Sequence, residues 1–297
     1  MIDRRTFTAG FLPLLAGIGL VATARPVRAA GALKARLGDE FAKLEKQSGG
    51  RLGVAVIDLA TGEQAGHRAS ERFPMCSTFK MLASAAVLTR VDAGKETLSR
   101  RVRYEKKDLV DNSPFTEKHL AEGMTIEELC EASMIVSDNT AVNLMLETLG
   151  GPAGMTAYFR TLGDTVTRLD RIETMMSESK PGDPRDTTSP EAMAGNVRRL
   201  VLEDALSPGS RQLLTGWLIA NQTGDARLKA GLPAGWRAGE KTGSGGYGTT
   251  NDVGIFWPPN RQPVIISAYL TQSTLPRAGQ NATLASVGRG VAAALAD

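Results

Sequence analysis

Cysteine and histidine are almost missing from this 297-residue chain, which holds only Cys76, Cys130, His67 and His119. Two thiols set in apolar, helix-like surroundings make no disulfide framework and read as structural thiols. Two cysteines and two histidines without ligand spacing give no metal centre, so neither a metal nor a cofactor is expected. Runs of basic residues are missing too, which argues against nucleic acid and lipid head groups as partners and favours a small-molecule substrate. No internal repeat or low-complexity tract interrupts the sequence.

A membrane-length apolar run is the next absence. The run from Phe11 to Ala22 is broken by Pro13, Gly17 and Gly19 and is too short to span a bilayer. Asp3-Arg4-Arg5-Thr6-Phe7 precedes it and Pro26-Val27-Arg28-Ala29-Ala30 follows, so residues 1–30 read as a twin-arginine export signal cleaved after Ala29 or Ala30. That implies a periplasmic protein with no stable membrane insertion after cleavage. The segment carries four arginines and one aspartate; without it, the 35 basic and 32 acidic side chains become 31 and 31. The basic balance therefore belongs largely to the leader.

What remains can bury a substantial core, at 42% hydrophobic content, and is long enough for two domains. Leu33, Leu37, Phe41 and Leu44 recur at helical spacing up to Gly49-Gly50. Residues 52–59 and Glu63 to Arg68 read as a β-hairpin turning at Thr61-Gly62, with His67 on its polar face. From 76 to about 219 the periodic segments are helical. Thr125-Ile126-Glu127-Glu128 is a capping-box start, and a second helix opens at Asn139 and ends at Gly150-Gly151. Three antiparallel strands follow at 237–242, 252–257 and 264–271, with turns at Gly245-Gly246 and Pro258-Pro259-Asn260, then a small-residue helix from Asn281 to Leu295. The fold class is α/β of the α+β kind. A five-stranded antiparallel sheet flanked by helices (31–75 and 220–297) joins an all-helical domain (76–219), with the active site between them.

The chain organises around Met75-Cys76-Ser77-Thr78-Phe79-Lys80. Apolar residues continue at helical spacing through Val87 to a C-cap at Gly94, so Ser77 and Lys80 share one face of the first turn. A lysine there can take the serine proton if burial or nearby charge lowers its pKa. With 17 serines and 11 lysines, chance alone supplies about 0.6 such pairs, and Ser177-Glu178-Ser179-Lys180 is one that runs into Pro181-Gly182. Distant partners must decide. In Ser137-Asp138-Asn139 the first and third side chains can project into one cleft, or Asn139 can be a plain helix N-cap. Lys241-Thr242-Gly243-Ser244 suits a carboxylate cradle, or is an edge strand with a surface lysine. Residues 163–190 form a long irregular segment whose ends Arg171 and Asp186 could clamp, around an omega-type loop at about 171–186. It carries Glu173, free to act as a general base if the loop folds back.

Taken together, Ser77-x-x-Lys80, Ser137-Asp138-Asn139 and Lys241-Thr242-Gly243, in this order, resemble the motif set of class A serine β-lactamases over about residues 31–297. The resemblance implies hydrolysis of penicillins and cephalosporins through an acyl-enzyme on Ser77, by a monomer. It makes the backbone N–H groups of Ser77 and Ser244 the oxyanion hole, leaves acylation shared between Lys80 and Glu173, and gives deacylation to Glu173. Ser137 would relay a proton to the ring nitrogen and Asn139 would hold the substrate's side-chain amide. Lys241, Thr242 and Ser244 would hold its carboxylate, with Arg227 as an extra cation. Two departures stand out. Ser177 replaces the family's usual asparagine beside the deacylating water, with a shorter reach, and Asn112 replaces an aromatic wall of the cleft. Cys130 matches half of a disulfide whose other position is Ser84, and Cys76 would need a thiol near Gly245, so neither bridge is expected. The run from Lys241 to Gly248 is similar to the cefotaximase branch, while Cys76 and Arg227 are shared with carbapenem-hydrolysing members, and the spectrum stays open. Penicillin-binding D,D-peptidases share the motifs more loosely but lack the Arg171 to Asp186 loop; a drug sensor that stays acylated would need a membrane-spanning signalling segment.

Overall fold

The computed structural model describes residues 32–296, and the expected export signal lies outside them. Helix α1 (Ala32–Ser48) buries Leu33, Leu37, Phe41 and Leu44 on one stripe and stops where Gly49 takes φ +64°, a left-handed turn that glycine adopts without Cβ strain. Strands β1 (Arg51–Asp58) and β2 (Gln64–His67) pair as the expected hairpin, Val54 opposite His67 and Ile57 opposite Gln64.

Short paired strands tie the middle of the chain together: β3 (Phe73–Pro74) with β6 (Thr187–Thr188), and β4 (Arg101–Val102) with β5 (Met124–Thr125). Between them run α2 (Phe79–Asp92), α3 (Ile126–Ile135), α4 (Asn139–Thr148) and α5 (Gly151–Thr161), followed by α6 (Pro190–Val201) and α7 (Pro208–Ile219). Thr125 caps α3 with the reciprocal Glu128 bond that its capping box predicts. Helix α2 is buried on every side from Phe79 to Leu88 and forms the centre of the helical layer.

Three long strands close the sheet: β7 (Arg237–Gly245), β8 (Thr249–Trp257) and β9 (Val264–Thr271). The five-stranded antiparallel order is β2-β1-β9-β8-β7. β7 and β8 run three residues further toward their shared turn than the sequence predicts, because Gly243 to Gly245 pair with Asn251 to Thr249. Helix α8 (Arg277–Ala296) starts four residues earlier than expected and packs beside α1 on one sheet face.

The sheet is a middle layer with both faces covered. On β1, Leu52, Val54 and Val56 join the α1–α8 core while Ala55 and Ile57 join the helical one; on β9, Val264, Ile266, Ala268 and Leu270 face the first, Ile265 and Tyr269 the second. Strands buried on both sides lose the polar alternation of a half-exposed sheet, which is why these segments read as continuous apolar runs.

Candidate active site

Where β7 passes the start of α2, the backbone before the helix tightens into a 3-10 turn, Cys76–Thr78, with the α-helix proper beginning at Phe79. Cys76 takes φ +45°, a left-handed conformation unusual for a side chain with a Cβ. The turn is held from several sides. Thr78 Oγ1 donates to Met75 O at 2.9 Å and lies 3.0 Å from the Tyr269 hydroxyl, while Asn251 Nδ2 donates to Pro74 O and Met75 O at 2.9 and 3.1 Å. Gly243 lets β7 approach, since a Cβ there would lie 2.8 Å from Met75 O.

Ser77 Oγ, half-buried at the mouth of this turn, donates to Glu173 Oε1 at 2.8 Å. Lys80 Nζ, wholly buried, lies 3.5 Å from the same oxygen and donates to Ser137 O at 2.8 Å, Ser137 Oγ at 3.2 Å and Asn139 Oδ1 at 2.5 Å. Burial pushes the Lys80 ammonium down, and the Glu173 and Asp138 carboxylates push back. The opposing charges keep a buried lysine tolerable, while its lowered pKa eases loss of a proton.

Glu173 reaches Ser77 because the irregular segment folds back. Arg171 Nε meets Asp186 Oδ2 at 2.6 Å, Asp186 Oδ1 accepts from the Asp170 and Arg171 N–H groups, and the β3–β6 pair anchors the exit. Asn143 grips the Glu173 backbone twice, accepting its N–H at 3.0 Å and donating to its carbonyl at 2.8 Å. The Glu173–Thr174 peptide is cis. Ser177 Oγ donates to Glu173 Oε2 at 2.9 Å, so the serine touches the carboxylate directly despite its short reach.

Ser137 sits between α3 and α4 at φ +61°. Its hydroxyl lies 3.2 Å from both Lys80 Nζ and Lys241 Nζ and bridges the two amines. The N-cap of α4 is Asp138 rather than Asn139: its carboxylate accepts from Ala141 N, Phe115 N, Thr116 N and Thr116 Oγ1. That frees the Asn139 side chain, which lines the cleft while accepting from Lys80 and donating to Asp111 O. Asn112 Nδ2 donates to Ser137 O at 2.9 Å.

Lys241 is no surface lysine. It is completely buried, and burial, then the charges of Lys80 and Arg227, push its ammonium well below the usual lysine range. Thr242, Gly243 and Ser244 continue along the cleft wall. Arg227 is buried as well, donating to Gly243 O at 2.8 Å, Asn251 O at 2.6 Å and Ser244 Oγ at 2.7 Å. It braces β7 against β8 as much as it offers charge. Beneath it lie Glu240 and Asp252, where burial and the Glu240 carboxylate push Asp252 well above the usual carboxylate range. Cys76 and Cys130 are both free and buried; burial raises the Cys76 thiol to about 12. Gly245 abuts Cys76 Sγ, which lies 3.2 Å from Ser179 Oγ.

A cleft of about 410 Å³ collects Ser77, Ser137, Asn139, Glu173, Thr242 and Ser244, with Asn112, Ser177 and Arg227 also on its walls and Lys80 and Lys241 behind them. Among the described residues, no group of three or more His, Cys, Asp and Glu is placed to hold a metal. Sequence reasoning missed Asn143, Asn251 and Thr223. Asn143 had a signal, since it lies one turn after Asn139 on the same helix face. Asn251 and Thr223 had none, because their partners are remote in the chain.

Comparison with known proteins places the chain as a whole. Residues 36–295 match the model of the β-lactamase enzyme family. The chain is 49% identical over 233 residues to β-lactamase OXY-1 of Klebsiella oxytoca and 50% identical over 233 residues to β-lactamase CTX-M-8 of Citrobacter amalonaticus, in each case covering 78% of this chain and 80% of the relative. A solved ancestral class A β-lactamase shares 61% identity with a TM-score of 0.86, covering 87% of this chain and 99% of that one.

Proposed function

The chain belongs to the β-lactamase enzyme family as a class A β-lactamase that hydrolyses β-lactams, and from that premise we propose how its residues divide the work. Ser77 Oγ attacks the ring carbonyl while the N–H groups of Ser77 and Ser244 receive the developing oxyanion. The serine proton leaves toward Glu173 and Lys80; as the ring C–N bond breaks, Ser137 passes a proton from the two-lysine environment to the nitrogen. Glu173 then takes a proton from the water that cleaves the Ser77 ester, with Ser177 orienting its carboxylate. Asn139 receives the substrate's side-chain amide, and Lys241, Thr242 and Ser244, backed by Arg227, receive its carboxylate.

The observation that carries this reading is the 2.8 Å bond from Ser77 Oγ to a buried Glu173 carboxylate that lies 3.5 Å from Lys80. A nucleophile, an acceptor for its proton and a buried amine thus occupy one spot. In Glu173→Gln the shape is kept and the base removed, so turnover of a penicillin should fall by about 10² to 10⁴. A stoichiometric burst should leave an adduct on Ser77, visible by intact mass. Near-normal turnover without adduct would move the deacylating role to another group.

The division into a sheet part, residues 31–75 and 220–297, and a helical part, residues 76–219, with the cleft between them, is our reading of the same topology. Monomeric action without a nucleic-acid partner goes with it, supported by a formally neutral mature chain. Among the described residues, no helix is long and apolar enough to cross a membrane. We also propose export to the periplasm by the twin-arginine route, on the strength of Arg4-Arg5 and the weakly apolar run behind them. Arg4→Lys with Arg5→Lys should strand the enzyme in the cytoplasm, and unchanged periplasmic activity would remove that assignment.

A further inference from the structure

Thr223 lies on the cleft wall, half-buried, between α7 and the nearest turn of β7. Its hydroxyl stands between a second hydroxyl and an amide oxygen: it hydrogen-bonds to Thr242 Oγ1 and donates to Asn221 Oδ1 at 3.0 Å. The Asn221 amide orientation is fixed independently, because its Nδ2 donates to Met134 O at 2.9 Å and its oxygen accepts the Thr223 N–H at 2.8 Å. A threonine hydroxyl has one proton and an amide oxygen has none. Thr223 therefore supplies the proton in its bond to Asn221, and Thr242 must supply the one in the bond between the two threonines. The chain of donors runs one way, from Thr242 through Thr223 and on to Asn221, and Asn221 hangs from the end of α3. In the free enzyme the Thr242 proton is committed to Thr223.

A carboxylate accepts and never donates, so a substrate carboxylate at Thr242 demands that this proton turn round. Thr223 makes the reversal inexpensive. Its own proton can swing from Asn221, which keeps the Thr223 N–H, onto the vacated lone pair of Thr242. Every hydroxyl proton is then used, and accepting a bond polarises Thr242 as a donor. We infer that Thr223 is a positioning residue for the substrate carboxylate, acting through Thr242 by reversing the direction of a two-hydroxyl relay. This rests on the reading above that Lys241, Thr242 and Ser244 receive that carboxylate.

Thr223→Val keeps the branched shape and removes the relay, and Thr223→Ser restores the hydroxyl. Steady-state kinetics on a penicillin are compared with the methyl ester of the same penicillin, the ester's affinity read by competition against a chromogenic cephalosporin. Thr223→Val should raise KM for the free acid on the order of 10-fold while kcat moves far less. It should leave the ester's affinity alone. Thr223→Ser should recover most of the loss, and Thr223→Val should add little in a Thr242→Val background, since both remove the same bond. Equal effects on acid and ester, no effect on the acid, or full additivity with Thr242→Val would overturn the relay, provided Thr242→Val itself separates acid from ester. If Thr242→Val does not separate them, the carboxylate reading fails and the relay falls with it.

Discussion

On the α1–α8 side of the sheet the core is mostly hydrocarbon: Leu33, Leu37, Phe41, Leu52, Phe256 and Leu284 meet there, and the buried Glu240 and Asp252 are confined to its β7–β8 edge. On the α2 side, Lys80, Asp138, Glu173 and Lys241 are just as buried, and Cys76, Asn112, Ser137 and Asp186 hold left-handed backbone that costs on the order of 1 kcal/mol or more each. Such groups are kept only where every one is partnered, and the lattice around Ser137 does this by letting one residue serve two lysines and Asn112 at once. One face of the sheet holds the molecule together; the other spends part of that stability on reactive groups held in fixed positions.

Separating the two sides by mutation should separate activity from stability. The largest effect belongs to Ser77→Ala, which removes the nucleophile and should cut turnover by about 10⁴-fold or more, with the adduct gone. Its melting temperature should stay level or rise, and a large fall would mean that Ser77 is part of the scaffold. Phe41→Ala reverses the pattern. Its ring is wholly buried in the hydrocarbon core, so its loss should cost about 3 to 5 kcal/mol in denaturant unfolding while kcat and KM per folded molecule hold. A kinetic change of the same size would show the two sides to be mechanically coupled.

The smallest effect concerns the polar rim of the stable side, where Glu45 on α1 accepts from Arg68, His67 and the Leu52 N–H. Burial pushes the Glu45 carboxyl up, but those donors outweigh it and hold it at about 2, below the usual 4.5. A carboxyl depressed on folding adds stability that is complete above pH 4.5 and is lost as pH falls from there toward 2. Glu45→Gln should flatten that acid limb by at most about 1 kcal/mol, because solvent screens the partly exposed pair. Identical acid unfolding curves would assign the limb to other groups.

The sequence made the nucleophile turn legible because Ser77 and Lys80 need only one helical turn to meet, and the α3 cap legible because Thr125 and Glu128 act within four residues. The loop's usefulness was readable from its composition and from the charges at its ends. What stayed hidden depends on tertiary approach. Lys241 follows Glu240 in a strand at the sheet edge, and two adjacent charges there read as a solvated rim; the helical layer covers Lys241 on one face, and the segment around Gly224 and Arg227 covers Glu240 on the other. The helix start at Asn139 is legible, but not which residue caps it, because Asp138 and Asn139 are equally good caps locally and the difference lies in Phe115 and Thr116, whose N–H groups claim the Asp138 carboxylate. Thr223 carries no local signal, since a lone hydroxyl in a loop acquires meaning only beside Thr242.

The strand order has a consequence in time. β1 pairs along its whole length with β9, Arg51 opposite Thr271 and Asp58 opposite Val264, so the first strand of the sheet finds its partner more than 200 residues later. Closing so long a loop comes at an entropic cost before any ladder bond repays it. Until residues 264–271 have left the ribosome, the early hairpin has one open edge and α1 has no finished sheet to lie on. The helical middle of the chain, with its local contacts, can order first. The layer built on the α1–α8 core is thus the last to be completed.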